Sequence, residues 1–444
     1  MVLFYRTPTK TTVKRKQQIA TIEALDYQGL GIAKLNGKTW FIENALPDEN
    51  VQFEIKEEKR QYGIGKAIKW QNRSPLRQDP RCPWYAQCGG CQMQHIHIDT
   101  QRTAKQAALL RQLHKIAPDL QIKPMIADNE WAYRRRARIS LDFSHESKTI
   151  QFGFRQQQSN QLVEIDHCAV LVPQLSQLLS PLRQLFQQWQ QPKQLGHIEL
   201  VAADNGVAML LRHLGELSAQ DMAQLMAFAE KYSVMLFIST TENEIIAKTT
   251  QSPYYQLGEI KLYFDVRDFI QVNPTINQHM VATALEWLEL TVEDRVLDLF
   301  CGMGNFSLPL AKQAAHVVGI EGVAEMVVKA TANAAQNGLQ NVSFYQTDLA
   351  ASFADKAWAQ EKFNKVLLDP PRAGALFALD HIIELQPEKM LYVSCSPATL
   401  VRDATILVDN GYRLVKCAMI DMFPQTGHIE TMVLLSKTVN SSSY

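Results

Sequence analysis

The first part of the chain alternates apolar and polar positions in short runs, as strands with one buried face do. Five such runs lie between residues 18 and 68. Asn36-Gly37 and the turn at 47–50 separate some of them, and Asn-Gly between apolar runs is a strong hairpin signal. Five short strands in about sixty residues predict a small β-barrel of the oligonucleotide-binding (OB) kind, and we assign it to residues 12–71.

The region 72–270 shows no single period along its length. It opens with a linker rich in Pro, Ser and Asn at 72–81. Helical spacing then predicts helices around 100–116 and 171–189, and apolar runs predict strands at 198–211 and 234–240. These elements together indicate a mixed α+β domain.

From residue 271 to 444 strand patterns alternate regularly with helical ones. The predicted strands are 295–300, 316–320, 342–346, 365–368, 390–394, 412–419 and 431–435. Helical stretches separate the first six, and Gly338 and Gly411 occupy positions typical of C-terminal helix caps. This alternation predicts a doubly wound, mostly parallel sheet, and the short link between the last two strands predicts a terminal antiparallel hairpin.

The 444 residues carry a net charge of zero, which conceals an asymmetry along the chain. Residues 1–140 contain 24 lysines and arginines against 13 acidic residues, and the remainder contains 21 against 32. A basic front and an acidic rear suggest nucleic-acid binding. On charge alone, a solvated basic surface without a partner is an equally good interpretation.

The composition also indicates a cellular compartment. No run of eighteen apolar residues is present, and the apolar part of the N-terminus is too short for a signal peptide. Seven cysteines without a secretion signal favour thiols kept reduced. We therefore expect a cytoplasmic protein without a membrane anchor, and a monomer by default.

The strand at 295–300 runs into Cys301-Gly302-Met303-Gly304 and then a helix, a sequence typical of a ligand-binding loop. Acidic residues lie near the ends of the strands of this region: Asp298 late in the first strand, Glu321 at the tip of the second, and Asp348 past the third. Carboxylates at such tips accept hydrogen bonds from ribose hydroxyls or an adenine amino group. Without a third glycine for a diphosphate, the loop favours S-adenosylmethionine over NAD. The alternative is that the two glycines only shape a turn.

Two further strand ends carry reactive groups at the carboxyl edge of the predicted sheet. The fourth strand ends in Asp369-Pro370-Pro371-Arg372 and the fifth in Ser394-Cys395-Ser396-Pro397. Cys395 precedes a predicted helix N-terminus, which is expected to lower the pKa of its thiol. In a methyltransferase a thiolate can add to carbon 6 of a pyrimidine and so activate carbon 5.

A base must then remove the proton from carbon 5. His428 and Glu430, just ahead of the final strand, are both candidates, and the residues alone leave the choice open. A lone Glu at a strand start is more often a surface residue.

A cluster of cysteines lies in the middle of the chain. Cys82, Cys88 and Cys91 fall within ten residues, and Cys168 follows much later. Three ligands on one loop with a distant fourth suit an iron–sulfur cluster or a structural zinc ion, and the residue types leave these two equally good.

Asp-Pro-Pro-Arg, Ser-Cys-Ser-Pro and the terminal His-Ile-Glu together resemble the RNA uracil-5-methyltransferases, and the likeness extends over nearly the whole chain. It implies a class I, Rossmann-like methyltransferase domain of α/β fold. An OB-like TRAM barrel for RNA binding and an α+β domain with an iron–sulfur cluster would precede it. The likeness is greatest to the subgroup that modifies a uridine of 23S rRNA, whose members carry this cysteine spacing. It therefore implies a 4Fe–4S cluster.

The resemblance also assigns roles to single residues. Cys395 would be the nucleophile, Glu430 the proton acceptor, and Asp369 a catalytic group that also faces the cofactor. The implied S-adenosylmethionine site comprises Gln271, Phe300, Asn305, Glu321, Asp348 and Asp369. The implied cluster ligands are Cys82, Cys88, Cys91 and Cys168.

RNA binding leads to two further expectations. The target uridine has to leave its stack before its ring can react, so we expect a flipped base in a loop or unpaired segment. The stretch 133–138, rich in arginine, is a candidate RNA-contacting surface, and a strand with one basic solvated face is its alternative. Rival functions are methylation of another uridine, a radical methylthiotransferase (whose Cys-x3-Cys-x2-Cys motif is absent here), and a non-enzymatic RNA-binding module.

Overall fold

The computed structural model describes residues 16–241, 244–351, 353 and 356–438. The described chain forms two compact units. The first holds residues 16–80 and 93–105, and the second holds 81–92 and everything from 106 onward. Residues 12–15 of the predicted barrel and 439–444 of the predicted last domain lie outside the described residues. The division into 12–71, 72–270 and 271–444 stays a prediction.

The first unit is built on a six-stranded sheet. Its strands are β1 (Gln17–Thr21), β2 (Ala24–Leu25), β3 (Gly31–Leu35), β4 (Lys38–Glu43), β5 (Asn50–Glu58) and β6 (Tyr62–Trp70), in the spatial order β1-β5-β6-β4-β3-β2. All five predicted strands are present, and β2 is an addition. Alternate side chains such as Trp40, Ile42, Val51 and Phe53 are fully buried, which explains the period-two pattern of the sequence.

The second unit begins with a seven-stranded sheet, ordered β10-β9-β8-β11-β12-β13-β14. Its strands are β8 (Arg136–Phe143), β9 (Ile150–Arg155), β10 (Leu162–Glu164), β11 (Leu195–Ala203), β12 (Gly206–His213), β13 (Val234–Ser239) and β14 (Ile246–Ala247). The helices of this region are α1 (Ile98–Leu113, which begins in the first unit), α2 (Pro173–Ser176), α3 (Leu179–Gln187) and α4 (Ala219–Lys231). The predicted helix 171–189 is thus wrong as one element. Pro181 has no N–H to bond back to the carbonyl of Gln177, so one helix ends and another begins.

The larger sheet of the second unit has eight strands in the order β19-β18-β17-β20-β21-β23-β22-β7. They are β7 (Gln121–Ile122), β17 (Arg295–Leu299), β18 (His316–Glu321), β19 (Val342–Gln346), β20 (Lys365–Leu368), β21 (Lys389–Ser394), β22 (Tyr412–Ile420) and β23 (Glu430–Lys437). Strands β17–β21 are mutually parallel, and β22 and β23 form the predicted antiparallel hairpin. A small hairpin, β15 (Tyr254–Leu257) and β16 (Ile260–Tyr263), lies outside this sheet.

Helix α5 (Pro274–Leu288) precedes β17, and α6 (Ser307–Ala311), α7 (Ala324–Gln336), α8 (Leu379–Leu385) and α9 (Pro397–Asp409) connect β17 to β18, β18 to β19, β20 to β21 and β21 to β22. Between β19 and β20, where the sequence predicts a helical stretch, the described residues form only the 3-10 helix Ala357–Gln360. Two further 3-10 helices are Leu376–Ala378 and, ahead of β11, Pro192–Gln194. Gly338 and Gly411 have φ of +67° and +88° just past α7 and α9, as predicted for helix caps. Among the described residues, no helix has the length and apolarity needed to span a bilayer.

Candidate active site

The candidate site lies at the carboxyl edge of the eight-stranded sheet, where β17 and β20 lie side by side. Their register pairs Leu299 with Leu368, so Phe300 and Asp369 are the next residues along the two strands. The amide of Asp369 donates to the carbonyl of Leu299 over 3.3 Å. The connection after β17 leads to β18 on one side, and the connection after β20 leads to β21 on the other side. Open α/β sheets bind ligands at such a point.

The glycine loop after β17 is tightly folded around this edge. Phe300, Gly302 and Gly304 all have positive φ (66°, 55° and 98°), a conformation that costs Phe300 backbone strain. A Cβ on Gly304 would lie only 3.0 Å from Cγ of Leu308, so this position needs glycine for space as well. The amide of Gly302 donates to the Glu321 carboxylate over 3.1 Å. The predicted loop and the tip of the second strand therefore belong to one site.

Asn305 is held by a network that sequence reasoning did not find. Its side-chain amide exchanges two hydrogen bonds with that of Asn277 on α5, at 2.9 and 3.0 Å. The hydroxyl of Tyr255 also donates to the Asn305 side-chain oxygen, over 2.9 Å. Neither partner lies in a motif, because both come from distant elements that meet only in the folded chain. Asn305 is thereby fixed in orientation at the end of the glycine loop.

The remaining predicted cofactor residues have different environments. Gln271 is buried just ahead of α5, and its carbonyl accepts a hydrogen bond from Nε of Arg135 over 3.0 Å. Asp348 follows β19, is exposed, and accepts the amide of Ala350 over 2.9 Å. Phe300 makes an edge contact with Phe377, with ring centroids 6.3 Å apart.

The strand register brings the predicted reactive residues together. In the antiparallel pairing of β21 with β23, Ser394 lies opposite Thr431, so Cys395 and Glu430 are adjacent to the paired residues at the same edge. Glu430 is only 5% exposed, in contrast to the surface position that a lone Glu usually takes. Burial and the nearby Asp369 carboxyl raise the pKa of Glu430 to about 8, and burial raises that of Asp369 to about 7.

The pKa of the Cys395 thiol contradicts the sequence-based expectation. It is raised, because burial disfavours the thiolate and because Glu430 and Asp369 place negative charge beside it, while the Arg372 guanidinium acts in the opposite direction. Cys395 does precede α9 as predicted. A helix N-terminus has a smaller effect than burial together with two carboxyls.

His428, the alternative base, has a different environment from Glu430. It is exposed, its ring nitrogen Nδ1 lies 3.4 Å from a guanidinium nitrogen of Arg372, and its ring lies against Phe423. Because Glu430 is buried and lies close to Cys395, it is the better candidate for the base that removes the proton from carbon 5.

The four predicted metal ligands all belong to the second unit, and all seven cysteines of the chain are thiols. Burial raises the pKa of the Cys82, Cys88 and Cys168 thiols, and Cys82 and Cys88 raise that of Cys168 further. These three thiols therefore lie within electrostatic range of one another. Within the described ranges, however, no three His, Cys, Asp or Glu side chains are arranged as a metal site.

The predicted RNA-contacting surface at 133–138 is wrong for much of its length. Tyr133 and Arg135 are 5% and 2% exposed. Arg135 stacks on the ring of Tyr255 at 4.7 Å, and Arg136 forms an ion pair with Glu199 at 2.5 Å. The arginines that look like an RNA surface in the sequence thus mostly bind other parts of the protein, and Arg138 is the exposed one.

The buried carboxyl of Glu430 predicts a pH-dependent stability. Its pKa is raised from 4.5 to about 8 on folding, so the folded state holds a proton that the unfolded state releases. The contribution of this group is fully present below pH 4.5 and is lost as the pH rises towards 8. We expect the difference between the melting temperature of Glu430→Gln and that of the unchanged protein to shift in favour of Glu430→Gln as the pH rises from 5 to 8. Glu293→Gln, at an exposed position, is the matched control. Parallel curves for the unchanged protein and Glu430→Gln would contradict the prediction.

Comparison with known proteins agrees with the architecture. The tRNA (uracil-5-)-methyltransferase family model matches residues 97–438, and the TRAM domain model matches residues 12–68. The chain is 54% identical to the 23S rRNA (uracil(1939)-C(5))-methyltransferase RlmD of Haemophilus parainfluenzae and to that of Pasteurella multocida. Each alignment covers 98% of this chain and 100% of the relative.

A solved structure extends the comparison to the fold. It is the Pyrococcus abyssi tRNA (uracil-54, C5)-methyltransferase in complex with S-adenosyl-L-homocysteine, with a TM-score of 0.72 and 21% identity. The match covers 94% of this chain and 100% of that chain, and at this identity it supports the fold alone. The family match, the full-length relatives and the assembled sheet edge agree, and the chain belongs to the tRNA (uracil-5-)-methyltransferase family.

Proposed function

We propose that this protein transfers a methyl group from S-adenosylmethionine to carbon 5 of a specific uridine in 23S rRNA, giving 5-methyluridine. The observation that carries the proposal is the convergence of Cys395, Glu430 and Asp369 at the sheet edge that also holds the glycine loop. The substrate follows from the relatives, which are named for uracil-1939 of 23S rRNA and align over their full length.

The site has features that fit S-adenosylmethionine. Oδ1 of Asp298 is buried and has no hydrogen-bond partner among the described residues, while its other oxygen binds the Ser307 hydroxyl. Burial, with Asp369 and Glu321 nearby, raises the pKa of Asp298 to about 7. A cationic or hydrogen-bond-donating ligand would satisfy this orphaned oxygen. Gln271, Phe300, Asn305, Glu321, Asp348 and Asp369 would surround the bound cofactor, which supplies a methyl group on a sulfonium.

The protein's own residues would carry the remaining steps. The Cys395 thiolate adds to carbon 6 of the uracil ring, and the electron pair released onto carbon 5 takes the methyl group. Asp369, with a pKa of about 7, holds a proton in a large share of molecules at neutral pH and can donate it to the ring carbonyl where charge develops. Arg372 favours the thiolate.

Glu430 completes the reaction. Its carboxylate accepts the proton from carbon 5, the electrons of that C–H bond form the double bond between carbons 5 and 6, and the C6–S bond to Cys395 breaks. Its raised pKa makes the carboxylate a stronger base than that of an exposed glutamate, and at neutral pH the group has to release the proton that it holds in most molecules before it can act.

Tritium release tests the proposed reaction. A 23S rRNA fragment with tritium on carbon 5 of its uridines should lose tritium on incubation with the protein and methyl donor, and digestion should yield 5-methyluridine. The same fragment with cytidine at position 1939 of the rRNA is the control. If another rRNA or tRNA uridine is methylated instead, the proposed reaction still holds and the proposed target uridine is wrong. Methyl transfer without tritium release would overturn the chemistry.

We further propose that Cys82, Cys88, Cys91 and Cys168 hold a 4Fe–4S cluster. The support is the donor set, since four thiols are the ligand set such a cluster takes, together with the electrostatic proximity of Cys82, Cys88 and Cys168. The backbone amides of Gly89 and Gly90 donate to the Arg155 carbonyl and the Cys88 sulfur, which fixes the loop between the ligands. When bound, the cluster would link the segment 82–91 to Cys168.

Cys168→Ser tests both the ligand set and the structural role. We expect a loss of iron and sulfide from the purified protein, and a melting temperature several degrees lower, because a cross-link between distant segments is weakened. Cys395→Ala is the matched control and should keep its iron content. A Cys168→Ser protein with unchanged melting temperature and RNA affinity contradicts the structural role, and unchanged iron contradicts the ligand assignment.

For RNA binding, we propose that the TRAM-matched residues form an OB-like barrel that binds the rRNA and that the target uridine is flipped out of its stack. We also propose that the protein acts as a monomer.

A further inference from the structure

The loop that leads to the proposed base, residues 421–429, connects the two strands of the terminal hairpin. Ile420 pairs with Glu430 across its base, so the position of Glu430 depends on how this loop is held. We call residues 421–429 the hairpin loop. The catalytic scheme uses Glu430 but none of the residues that bind this loop.

Two successive carbonyl groups at the tip of the hairpin loop accept hydrogen bonds from elsewhere in the second unit. The hydroxyl of Tyr133 donates to the carbonyl of Pro424, and the backbone amide of Gln92 donates to that of Gln425, each over 2.9 Å. The side-chain amide of Gln425 donates to Glu130 over 2.8 Å.

The loop conformation at this point needs such support. Gln425 is fully buried and has φ of +68°, which is unfavourable for a residue with a side chain. Tyr133 is also buried, at 5% exposure. A buried carbonyl left without its donor costs free energy, so loss of the Tyr133 hydroxyl would favour rearrangement of the loop.

Gln92 and Tyr133, the two donors to these carbonyl groups, both lie near the cysteines at 82–91 and 168. Gln92 directly follows Cys91, and its carbonyl accepts the Tyr85 hydroxyl while its side chain donates to the carbonyl of Gly89. Tyr133 interacts electrostatically with Cys91 and Cys168. The segment 82–92, which we call the cysteine segment, is therefore connected directly to the hairpin loop by the hydrogen bond from Gln92 to Gln425.

We propose that Tyr133 is a positioning residue for Glu430: its hydrogen bond to Pro424, together with that of Gln92 to Gln425, holds the hairpin loop so that the Glu430 carboxylate meets the proton on carbon 5. This inference rests on the proposed function in assigning proton removal to Glu430. It gives the cysteine segment a role in the last step of the reaction.

Tyr133→Phe tests the proposal, because it removes the donor and keeps the ring. In single-turnover experiments with 23S rRNA fragment, methyl transfer should change little, while the decay of the protein–RNA covalent adduct on denaturing gels should slow by about tenfold. Hydrogen exchange of the backbone amides at 425–431 should also become faster. Glu130→Ala, which removes the acceptor of the Gln425 side chain, should act in the same direction and more weakly.

Tyr412→Phe is the matched control. Tyr412 begins strand β22 at the opposite end of the same hairpin, is 3% exposed, and its hydroxyl has no partner in the described part of the chain. The proposal is overturned if Tyr133→Phe behaves like Tyr412→Phe, or if it slows methyl transfer and adduct decay equally.

Glu430→Gln in the same assay separates the inference from the proposed function. If it fails to accumulate adduct, the assignment of the base is wrong, and hydrogen exchange of the backbone amides at 425–431 still decides whether Tyr133 holds the loop. If it accumulates adduct and Tyr133→Phe does not, the positioning role alone is wrong.

Discussion

Cys395→Ala is expected to abolish methylation of 23S rRNA while the protein still binds S-adenosylmethionine. Without a sulfur to add to carbon 6, carbon 5 of uracil has too little electron density to attack a methyl group, so the rate should fall by about 10⁴-fold or more. Donor affinity should stay within about twofold, because Cys395 lies on β21's carboxyl end and the glycine loop follows β17. Tritium release and equilibrium dialysis with labelled donor measure the two quantities.

The control for this experiment is Cys417→Ala. Cys417 is a buried thiol on β22 of the same sheet, 1% exposed, so its loss should lower the melting temperature and leave turnover largely intact. A Cys395→Ala protein that retains turnover, with no RNA adduct detectable in the unchanged enzyme, would show that the reaction does not proceed through a thiolate.

Glu430→Gln should stop the reaction one step later. The amide is nearly isosteric and cannot accept the carbon 5 proton, so release of the methylated RNA should slow by about 10²- to 10³-fold. The methyl group should already be on the RNA, and the protein should remain covalently attached to it through Cys395. A protein–RNA band that carries labelled methyl on a denaturing gel is the expected observation.

His428→Gln and Glu293→Gln are the controls for that result. His428 is exposed and is the alternative base, and Glu293 is an exposed glutamate remote from the sheet edge. If His428→Gln accumulates the adduct and Glu430→Gln does not, the roles are reversed. An adduct with either control at the level of Glu430→Gln would mean that its accumulation does not report loss of the base.

Seven of the eight strands of the larger sheet were predicted to within one or two residues at each end, and β7 was not predicted. Strand β20 was predicted as 365–368 and observed as Lys365–Leu368, and β19 was likewise placed without error. Strand β20 is buried on both faces, so its apolar run is continuous and bounded by polar residues. Strand β19 lies at the edge of the sheet and is half-buried to exposed. Helix 171–189 was misplaced because its apolar spacing continues across Pro181, where the backbone cannot continue the hydrogen-bond pattern.

The arginine-rich stretch shows a different kind of failure. Charge in a sequence indicates solvent or a polyanion, yet Arg135 is buried against Tyr255 and Gln271. These two partners, at 255 and 271, lie 120 or more residues away in the chain, and no local sequence pattern indicates them. Tyr255 and Asn277, which orient Asn305, lie 50 and 28 residues from it and are likewise not indicated by any local pattern.

The amino-acid sequence by itself determined the alternation of strands and helices and the glycine loop, and it predicted candidates for the nucleophile and the base. These features are local, because hydrophobic period and side-chain chemistry are carried by neighbouring residues. The tertiary structure decided the charge states and the support of the site. The pKa values of Cys395 and Glu430 depend on burial and on carboxyls from other strands, and the hairpin loop depends on Tyr133 and Gln92. Electrostatic and packing energies are sums over spatial neighbours, and only the folded chain specifies which residues those are.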